Sequence, residues 1–456
     1  MKSSRRKFLK CLAQTGKLGL GAALYQQSSM GISKAGIRSN APSAAKRFAI
    51  SGPRKGVDAR AYLETVLYIR EEVDQWIAGN TANHEKYDGE IGWIPRPGFA
   101  NNGIRGCTCE YSYEPSGARR MAGFAGRECR INTYGDSFAH CDQVSDGETW
   151  QERLASHLCE PVRNFGVSGN TLYQAYTRMK HEEMRTPAEY LIFNLHGGGL
   201  WGSQSPWASL GMPRAEMANA DWRNSESRAA RRPQSLAARR PTVPYVKVNP
   251  ATGEFAEYPN ICPTPESLYN LCDLDWTYER FKNEFQLKII LAHENVKLHT
   301  PEASYEEITE LAQARGIYSR IESAEDLSNA LEEISKQAAI FMNQRILEKI
   351  EEYAATHGKK SLYVLSHSVE DLAAALQTEA RFDRQLVDFL ETRNLAYMDD
   401  LDAHRADLSR SKLAVDDYLK QYYIGHYTPL GNFFQAFAIK DKVAAFLHPK
   451  PIPYRD

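Results

Sequence analysis

The sequence has no excess of charge of either sign. Its 456 residues include 56 Lys and Arg against 57 Asp and Glu. Because proteins that bind nucleic acid carry a net basic face, this balance argues against a nucleic-acid partner. The sequence also has no uninterrupted apolar run of about 18 residues, the length that a membrane-spanning helix requires, so we expect no stable membrane span. With 42% hydrophobic and 25% charged residues, the chain is predicted to be a globular protein of enzyme size.

Spacings typical of metal and cofactor sites are missing as well. Cys107 and Cys109 form a C-x-C pair with no second pair at zinc-ligand spacing. The chain contains neither a Gly-Lys-Ser/Thr phosphate loop nor a dinucleotide glycine fingerprint. We therefore predict no metal site and no cofactor. Seven cysteines follow the N-terminal region, and they leave open both a Cys262–Cys272 disulfide and buried thiols.

The first 45 residues have the layout of an export signal. The first ten carry five basic residues and no acidic one, and a weakly apolar stretch and a polar segment follow. The sequence Ser-Arg-Arg-Lys-Phe-Leu-Lys at 4–10, with Arg5 and Arg6 paired, resembles a bacterial twin-arginine signal. We expect the twin-arginine export machinery to be a partner and the protein to be periplasmic or secreted.

From about residue 130, short apolar runs alternate with amphipathic segments. Strands are predicted over 130–134, 162–167, 190–195, 361–365 and 395–398, and helices over 149–158, 172–184, 369–377 and 383–392. This alternation predicts an α/β fold with a parallel sheet and helices on both faces. A ligand site is then expected beyond the carboxyl ends of the strands.

The remaining segments complete the predicted organisation. Residues 46–128 are expected to be an extended segment packed on a main domain of residues 129–448, and residues 449–456 to be a tail. An insertion at about 200–358 separates the third and fourth strands, with helices expected over 304–316 and from about 324 to 353. Within it, residues 211–240 carry seven Arg against three acidic residues. Both a solvated segment and a rim that attracts an anionic polymer fit that composition.

A Gly-Asp-Ser sequence at 135–137 directly follows the first predicted strand. A serine in a tight turn at a strand end can present its hydroxyl to solvent, where a neighbouring base activates it as a nucleophile. The same residues also suit a simple helix cap, because Asp and Ser are both good N-caps.

Three blocks of the sequence together resemble the SGNH (GDSL-type) hydrolase family: 135–138, 164–171 and 425–432. The resemblance covers roughly residues 128–200 and 360–448. It implies ester hydrolysis on a flavodoxin-like, three-layer α/β/α fold, with Ser137 as nucleophile and His426 as the base. It also implies that the backbone N–H of Gly169 belongs to the oxyanion hole, which stabilises the charge on the carbonyl oxygen.

The chain departs from the family pattern at two positions. Where the family has an asparagine after the third strand, Gly198 aligns, and His196 or a glycine N–H is a candidate substitute. Where the family has an aspartate three residues before the histidine, this chain has Tyr423. Asp399, at the end of the fifth predicted strand, is a candidate to orient His426, as is a backbone carbonyl. Asp399 also suits the N-cap of a helix that begins near residue 401, and the base would then work as a Ser–His dyad.

These features together predict an exported serine esterase that hydrolyses acyl esters, O-acetyl esters in particular, through an acyl-enzyme on Ser137. The expected substrate is a small acyl ester or an acylated polysaccharide. Two alternatives remain open from the sequence: a catalytically weak or inactive glycan-binding protein on the same fold, and an O-acyltransferase.

Overall fold

The computed structural model describes residues 57–81, 84–200, 202–211, 239–248, 254–297, 324–378 and 380–455. The export signal predicted over 1–45, nearly all of the arginine-rich segment and the helix predicted over 304–316 lie outside these residues. The described residues belong to one compact unit, Pro53–Asp456.

The secondary structure alternates strands and helices through most of the described chain. The strands are β1 (Glu85–Asp88), β2 (Gly92–Pro95), β3 (Gly98–Ala100), β4 (Cys109–Tyr111), β5 (Ile131–Tyr134), β6 (Arg163–Asn164), β7 (Tyr190–His196), β8 (Tyr245–Val248), β9 (Phe255–Tyr258), β10 (Lys360–Ser366) and β11 (Tyr397–Asp399). The α-helices are α1 (Ala59–Val66), α2 (Arg70–Ala78), α3 (Ser137–His140), α4 (Trp150–Leu158), α5 (Leu172–Arg185), α6 (Gly197–Leu200), α7 (Leu274–Phe281), α8 (Phe285–Lys297), α9 (Ala324–Thr356), α10 (Val369–Thr378), α11 (Arg384–Thr392), α12 (Leu401–Ser411), α13 (Val415–Tyr422) and α14 (Pro429–Phe446). Short 3-10 turns cover Ile104–Gly106, Glu266–Cys272 and Ile452–Tyr454.

Five of these strands form one all-parallel sheet in the order β11-β10-β7-β5-β6. The α/β fold with a parallel sheet, predicted from the sequence, is therefore confirmed. The register aligns the carboxyl ends of neighbouring strands: Tyr134 pairs with Phe193, Ser366 with His196, and Leu365 with Asp399. Residues that directly follow β5, β7, β10 and β11 consequently meet at one edge of the sheet.

Both faces of the sheet are buried under helices. On one face, Tyr134, Phe193 and Tyr363 pack with apolar residues of α5, α9 and α11. On the other face, Ile192 and Val364 pack with apolar residues of α4 and α14. Strands buried on both faces need apolar side chains at nearly every position, which explains the continuous apolar runs in the sequence.

The segment before the sheet is only partly extended. The hairpins β1–β2 and β3–β4 are extended, as expected for residues 46–128, but α1 and α2 are helices. The segment predicted as an insertion lies between β7, which ends at His196, and β10, which begins at Lys360. Within the described parts of the insertion are the β8–β9 hairpin and helices α7 to α9.

Two further predictions concern the chain as a whole. Among the helices that the structure describes, none is both long and apolar enough to cross a lipid bilayer. The seven cysteines of the described residues are free thiols, and Cys109, Cys141 and Cys262 are buried. The Cys262–Cys272 disulfide left open by the sequence is therefore not formed in this structure.

Candidate active site

Ser137 is placed by a tight turn at the end of β5. Gly135 has a φ of +151°, and a Cβ at this position would lie 2.9 Å from the carbonyl oxygen of Asn194. Asp136 then caps α3, because its Oδ1 accepts a hydrogen bond from the N–H of Phe138 at 2.9 Å. The capping function considered for this motif is present, and it places Ser137 at the first position of the helix.

His426 lies in a short turn between α13 and α14. The N–H of Ile424 donates to the carbonyl of His426 at 2.9 Å, and Gly425 in between has a φ of +114°. Thr428 caps α14 by accepting from the N–H of Gly431 at 3.0 Å, with Pro429 at the first helical position. This turn brings the imidazole Nε2 of His426 to 2.8 Å from Ser137 Oγ, although the two residues are 289 positions apart.

The other side of the imidazole is held by Gln143. Its Oε1 accepts from the backbone N–H of His426 at 2.8 Å and from the ring Nδ1–H at 3.2 Å. Gln143 is itself fixed, since its Nε2 donates to the carbonyl of Asn102 at 3.1 Å and its backbone N–H donates to the hydroxyl of Tyr111 at 3.0 Å. An acceptor at Nδ1 selects the tautomer that leaves Nε2 free to accept the serine proton.

Asp399 does not occupy the position considered for it. Its side chain pairs with the guanidinium of Arg381, and its Oδ1 accepts from the N–H of Leu401 at 3.0 Å, at the start of α12. The contact with α12 agrees with the capping interpretation. The structure therefore corrects the expectation that Asp399 orients His426, because Gln143 stands at that position.

Asp399 belongs instead to a buried network at the neighbouring strand ends. Ligand atoms of His367, Asp399 and Asp400 lie within 4.8 Å of one another, a grouping that suits a cation. A cationic side chain already lies there, since Arg381 pairs with both Asp399 and Asp383. His367 Nδ1 donates to Asp400 Oδ1 at 3.0 Å. Burial disfavours a charged His367, but Asp400 and Asp383 outweigh it and raise the pKa of the imidazole. These contacts form a buried network of ion pairs and hydrogen bonds.

Gly169 and His196 are the two residues that the sequence analysis named in connection with an oxyanion hole. Gly169 has a φ of +68° in the turn after β6, and its N–H makes no hydrogen bond to any residue that the structure describes. His196, the candidate substitute for the family asparagine, is the last residue of β7. Its Nδ1 donates to Asp136 Oδ2 at 3.0 Å, and its ring stacks on Phe138 at 4.0 Å between centroids. Gly198, which aligns with that asparagine, lies in α6.

The structure adds a carboxylate that the sequence analysis did not single out. Asp142 Oδ2 lies 4.0 Å from His426 Nε2 and accepts a hydrogen bond from Ser168 Oγ at 2.8 Å. Its Oδ1 accepts from His140 Nδ1 at 2.5 Å, and His140 Nε2 bonds to the hydroxyl of Tyr113 at 2.7 Å. Burial tends to raise the pKa of Asp142, but its contacts with His140, His426 and Ser168 outweigh burial and lower it. Asp142 is therefore ionised at neutral pH.

A buried arginine from the N-terminal segment shapes the loop that carries Asp142 and Gln143. Arg119 is 2% exposed and donates to the carbonyls of His140 and Cys141 at 2.6 and 2.8 Å. It also donates to the carbonyl of Val144 and pairs with Asp146. Carbonyls that turn away from regular secondary structure need such donors when they are buried. The loop conformation thus depends on a residue upstream of the sheet.

The electrostatics of the site favour a neutral imidazole. Burial lowers the pKa of His426, and the nearby His196 lowers it further, while the carboxylates of Asp142 and Asp136 act in the opposite direction. The net shift is downward from 6.5, so the ring is unprotonated at pH 7 and able to accept a proton. A serine hydroxyl that donates to such a ring is the arrangement used to attack an acyl carbonyl.

Comparison with known proteins adds no family to this description. No protein-family model matches the chain. No curated protein is significantly similar to it in sequence.

Proposed function

We propose that the protein is an exported serine esterase of SGNH type that forms an acyl-enzyme on Ser137. The observation that carries the proposal is the 2.8 Å contact between Ser137 Oγ and His426 Nε2, with Gln143 holding the opposite ring nitrogen. Acyl transfer by serine requires a nucleophile, a base and an orienting group that are linked by hydrogen bonds in that order.

The arrangement of the sheet supports a flavodoxin-like, three-layer α/β/α fold. Numbered by their occurrence in the sheet, the strands lie in the order 2-1-3-4-5, which is the order of flavodoxin-like folds. The helices that pack against the two faces of the sheet through apolar clusters form the two outer layers. In such folds, ligands bind outside the carboxyl ends of the strands, and Ser137 follows the carboxyl end of β5.

In the proposed mechanism, His426 removes the proton of Ser137 as Oγ attacks the ester carbonyl. The tetrahedral intermediate then collapses, and the imidazolium returns the proton to the leaving alcohol. A water molecule then attacks the acyl-enzyme carbonyl while His426 accepts its proton. The proton returns to Ser137 Oγ as the carboxylic acid leaves. The N–H of Gly169 is the proposed oxyanion donor, and a single donor of this kind typically contributes about 3 kcal/mol to the transition state. We propose that His196 takes the place of the family asparagine, a role that requires a proton on its Nε2 in addition to the Nδ1 proton that it donates to Asp136.

The neutral orienting group distinguishes this site from a Ser-His-Asp triad. Gln143 fixes the tautomer of His426 but carries no charge to stabilise the imidazolium. Asp142, 4.0 Å from Nε2, is the nearest carboxylate to the ring among the described residues. We infer that it supplies part of the missing electrostatic stabilisation, on the side of the ring that faces the substrate.

The substrate that best fits an exported enzyme with a polar site is an acylated carbohydrate, with O-acetyl as the acyl group. This part of the proposal rests on the twin-arginine pattern at residues 4–10 and on the polar side chains around Ser137. The same pattern supports a periplasmic or secreted location and the twin-arginine machinery as a partner.

Labelling with a fluorophosphonate probe tests the proposal directly. We expect labelling of the wild-type protein at Ser137, together with hydrolysis of 4-nitrophenyl acetate. Ser137→Ala should lose both, whereas Ser409→Ala, a change at an exposed helical serine, should keep both. Equal labelling of wild type and Ser137→Ala would show that the nucleophile is another residue.

One observation favours a second candidate, a glycan-binding protein on the same fold. Gly198 and Tyr423 stand where the family carries an oxyanion donor and a carboxylate. Folded wild-type protein that neither reacts with the probe nor hydrolyses esters, yet binds a polysaccharide, would support this candidate. An O-acyltransferase would instead react with the probe and transfer acetyl to a sugar hydroxyl faster than to water.

A further inference from the structure

A polar cleft lies against the loop that carries Asp142. One wall comes from the N-terminal segment and includes Glu85, Asn102 and Tyr111. The other wall comes from the loops after β5 and β6 and includes Asp142 and Ser168. Asp142 connects the cleft to the catalytic pair, because its side chain lines the cleft and its Oδ2 lies 4.0 Å from His426 Nε2.

We infer that this cleft binds the alcohol part of the ester as a neutral polyol, with a hydroxyl next to the ester oxygen donating to Asp142. The inference rests on the proposed esterase function and specifies its substrate. During acyl transfer, the oxygen of the leaving alcohol receives its proton from His426 Nε2. A donor to Asp142 Oδ2 must then lie one position away on the same alcohol, as a neighbouring hydroxyl on a sugar ring does.

Asp142 has the capacity for such a bond. Its Oδ2 accepts one hydrogen bond from Ser168, and a carboxylate oxygen can accept a second. About 18% of the side chain is exposed, in contrast to its partner His140, which is almost fully buried. Burial lowers the pKa of His140 despite the adjacent carboxylate, so the pair retains one negative charge. A hydroxyl bound to a charged acceptor contributes more than one bound to a neutral acceptor.

The charge of the cleft selects among hydroxylated ligands. Two carboxylates line the cleft, Glu85 and Asp142. The side chain of Glu85 is 3% exposed and pairs with Arg240 at 3.1 Å, whereas the side chain of Asp142 is 18% exposed. Asp142 is therefore the carboxylate that a ligand in the cleft can reach. Its negative charge disfavours an anionic sugar in the cleft and favours a neutral polyol.

Two matched esters isolate the contact: cyclohexyl acetate and 2-hydroxycyclohexyl acetate, which differ by one hydroxyl next to the ester oxygen. We expect wild-type kcat/KM to be higher for the hydroxylated ester. In Asp142→Asn, the ratio of the two kcat/KM values should fall by about tenfold, because a hydrogen bond to a charged acceptor is lost. Any general effect of Asp142 on His426 changes both esters alike and cancels in the ratio.

The matched control is Asp402→Asn, whose side chain is 89% exposed on α12. It should keep the wild-type ratio. An Asp142→Asn ratio within twofold of wild type would overturn the inference while the esterase proposal stands. Absence of Ser137-dependent hydrolysis of either ester would overturn the esterase proposal and, with it, this inference.

A measurement on the wild-type protein covers the case in which Asp142→Asn does not fold. Cyclohexane-1,2-diol should inhibit 4-nitrophenyl acetate hydrolysis at concentrations at least several-fold below those of cyclohexanol. Equal inhibition by the two alcohols would overturn the inference. The wall from the N-terminal segment can be tested with a larger neutral substrate, a mono-O-acetylated methyl hexoside. Asn102→Ala, a change at an exposed position of that wall, should raise the KM for this substrate about threefold. An unchanged KM would show that Asn102 does not contact the bound substrate.

Discussion

Replacing Gln143 perturbs the candidate site at the point where it differs most from a Ser-His-Asp triad. Gln143→Ala removes the acceptor of two hydrogen bonds from His426, one from the backbone N–H and one from ring Nδ1. A hydrogen bond between neutral groups contributes about 0.5–1.5 kcal/mol net, so the loss of two such bonds removes roughly 1–3 kcal/mol of positioning. If that loss falls on the transition state, kcat should decrease by a factor of about 5 to about 150.

Gln143→Glu examines the same position in the opposite direction. A carboxylate stabilises the imidazolium more than an amide oxygen does, with a gain of about 1 kcal/mol over the neutral bond. It also forfeits the hydrogen bond from Gln143 Nε2 to the carbonyl of Asn102. We therefore expect kcat to rise by no more than about fivefold, and the pKa of His426 to rise, which moves the acidic limb of the pH profile upward.

The assay is steady-state hydrolysis of 4-nitrophenyl acetate between pH 4 and 9, with circular dichroism to verify folding. Gln377→Ala, an exposed glutamine in α10, serves as the control and should match the wild type. A folded Gln143→Ala protein with a kcat within twofold of wild type would refute the reasoning, since the base would then need no orienting group. An acidic limb that stays in place in Gln143→Glu would show that this position does not contact the ring in solution.

Three further predictions follow from the site and the N-terminal sequence. The double variant Ser137→Ala/His426→Ala should lose no more activity than either single variant, because the two residues act as a unit; additive losses in kcat would contradict the pairing. Since His426 must be neutral to act as a base and its pKa is lowered, kcat/KM should decline only as the pH falls below 6.5, and a decline that begins above pH 7 would contradict the assigned base. Replacing Arg5 and Arg6 together with Lys should leave folded protein in the cytoplasm, as fractionation would show, because ammonium groups do not replace a guanidinium pair; normal export of this variant would exclude the twin-arginine route.

The sheet and the contact between Ser137 and His426 could be predicted because each depends on local patterns. Strands buried on both faces need apolar runs, so β7 and β10 were predicted to within one or two residues of their bounds. Ser137 and His426 lie in short blocks whose glycine and proline residues indicate turns in the sequence. The N-terminal segment was harder: α1 and α2 interrupt a region predicted as extended.

The residues around the base could not be predicted because their positions depend on contacts between distant parts of the chain. Asp399 ends a strand at the correct edge of the sheet, but the sequence does not show that Arg381 draws its carboxylate away. Gln143 and Asp142 follow the nucleophile by only a few residues, in a loop without periodicity. The side chains of Gln143 and Asp142 are oriented by the left-handed φ of +69° at Gln143 and by the hydrogen bonds that Arg119 donates to the carbonyls of this loop. Their proximity to Ser137 in sequence was the one available signal.

Ser137 and His426 are 289 positions apart in the sequence, and this separation affects when their contact forms during folding. Contacts between distant segments form late, because the intervening chain must first lose its conformational entropy. A nascent or partly folded chain would already carry the serine, but without the imidazole its hydroxyl would remain a weak nucleophile. Reactivity toward a fluorophosphonate would then appear only when α14 docks. Pulse labelling during refolding would consequently report when this contact forms, and a chain that stalls before it would not react with the probe.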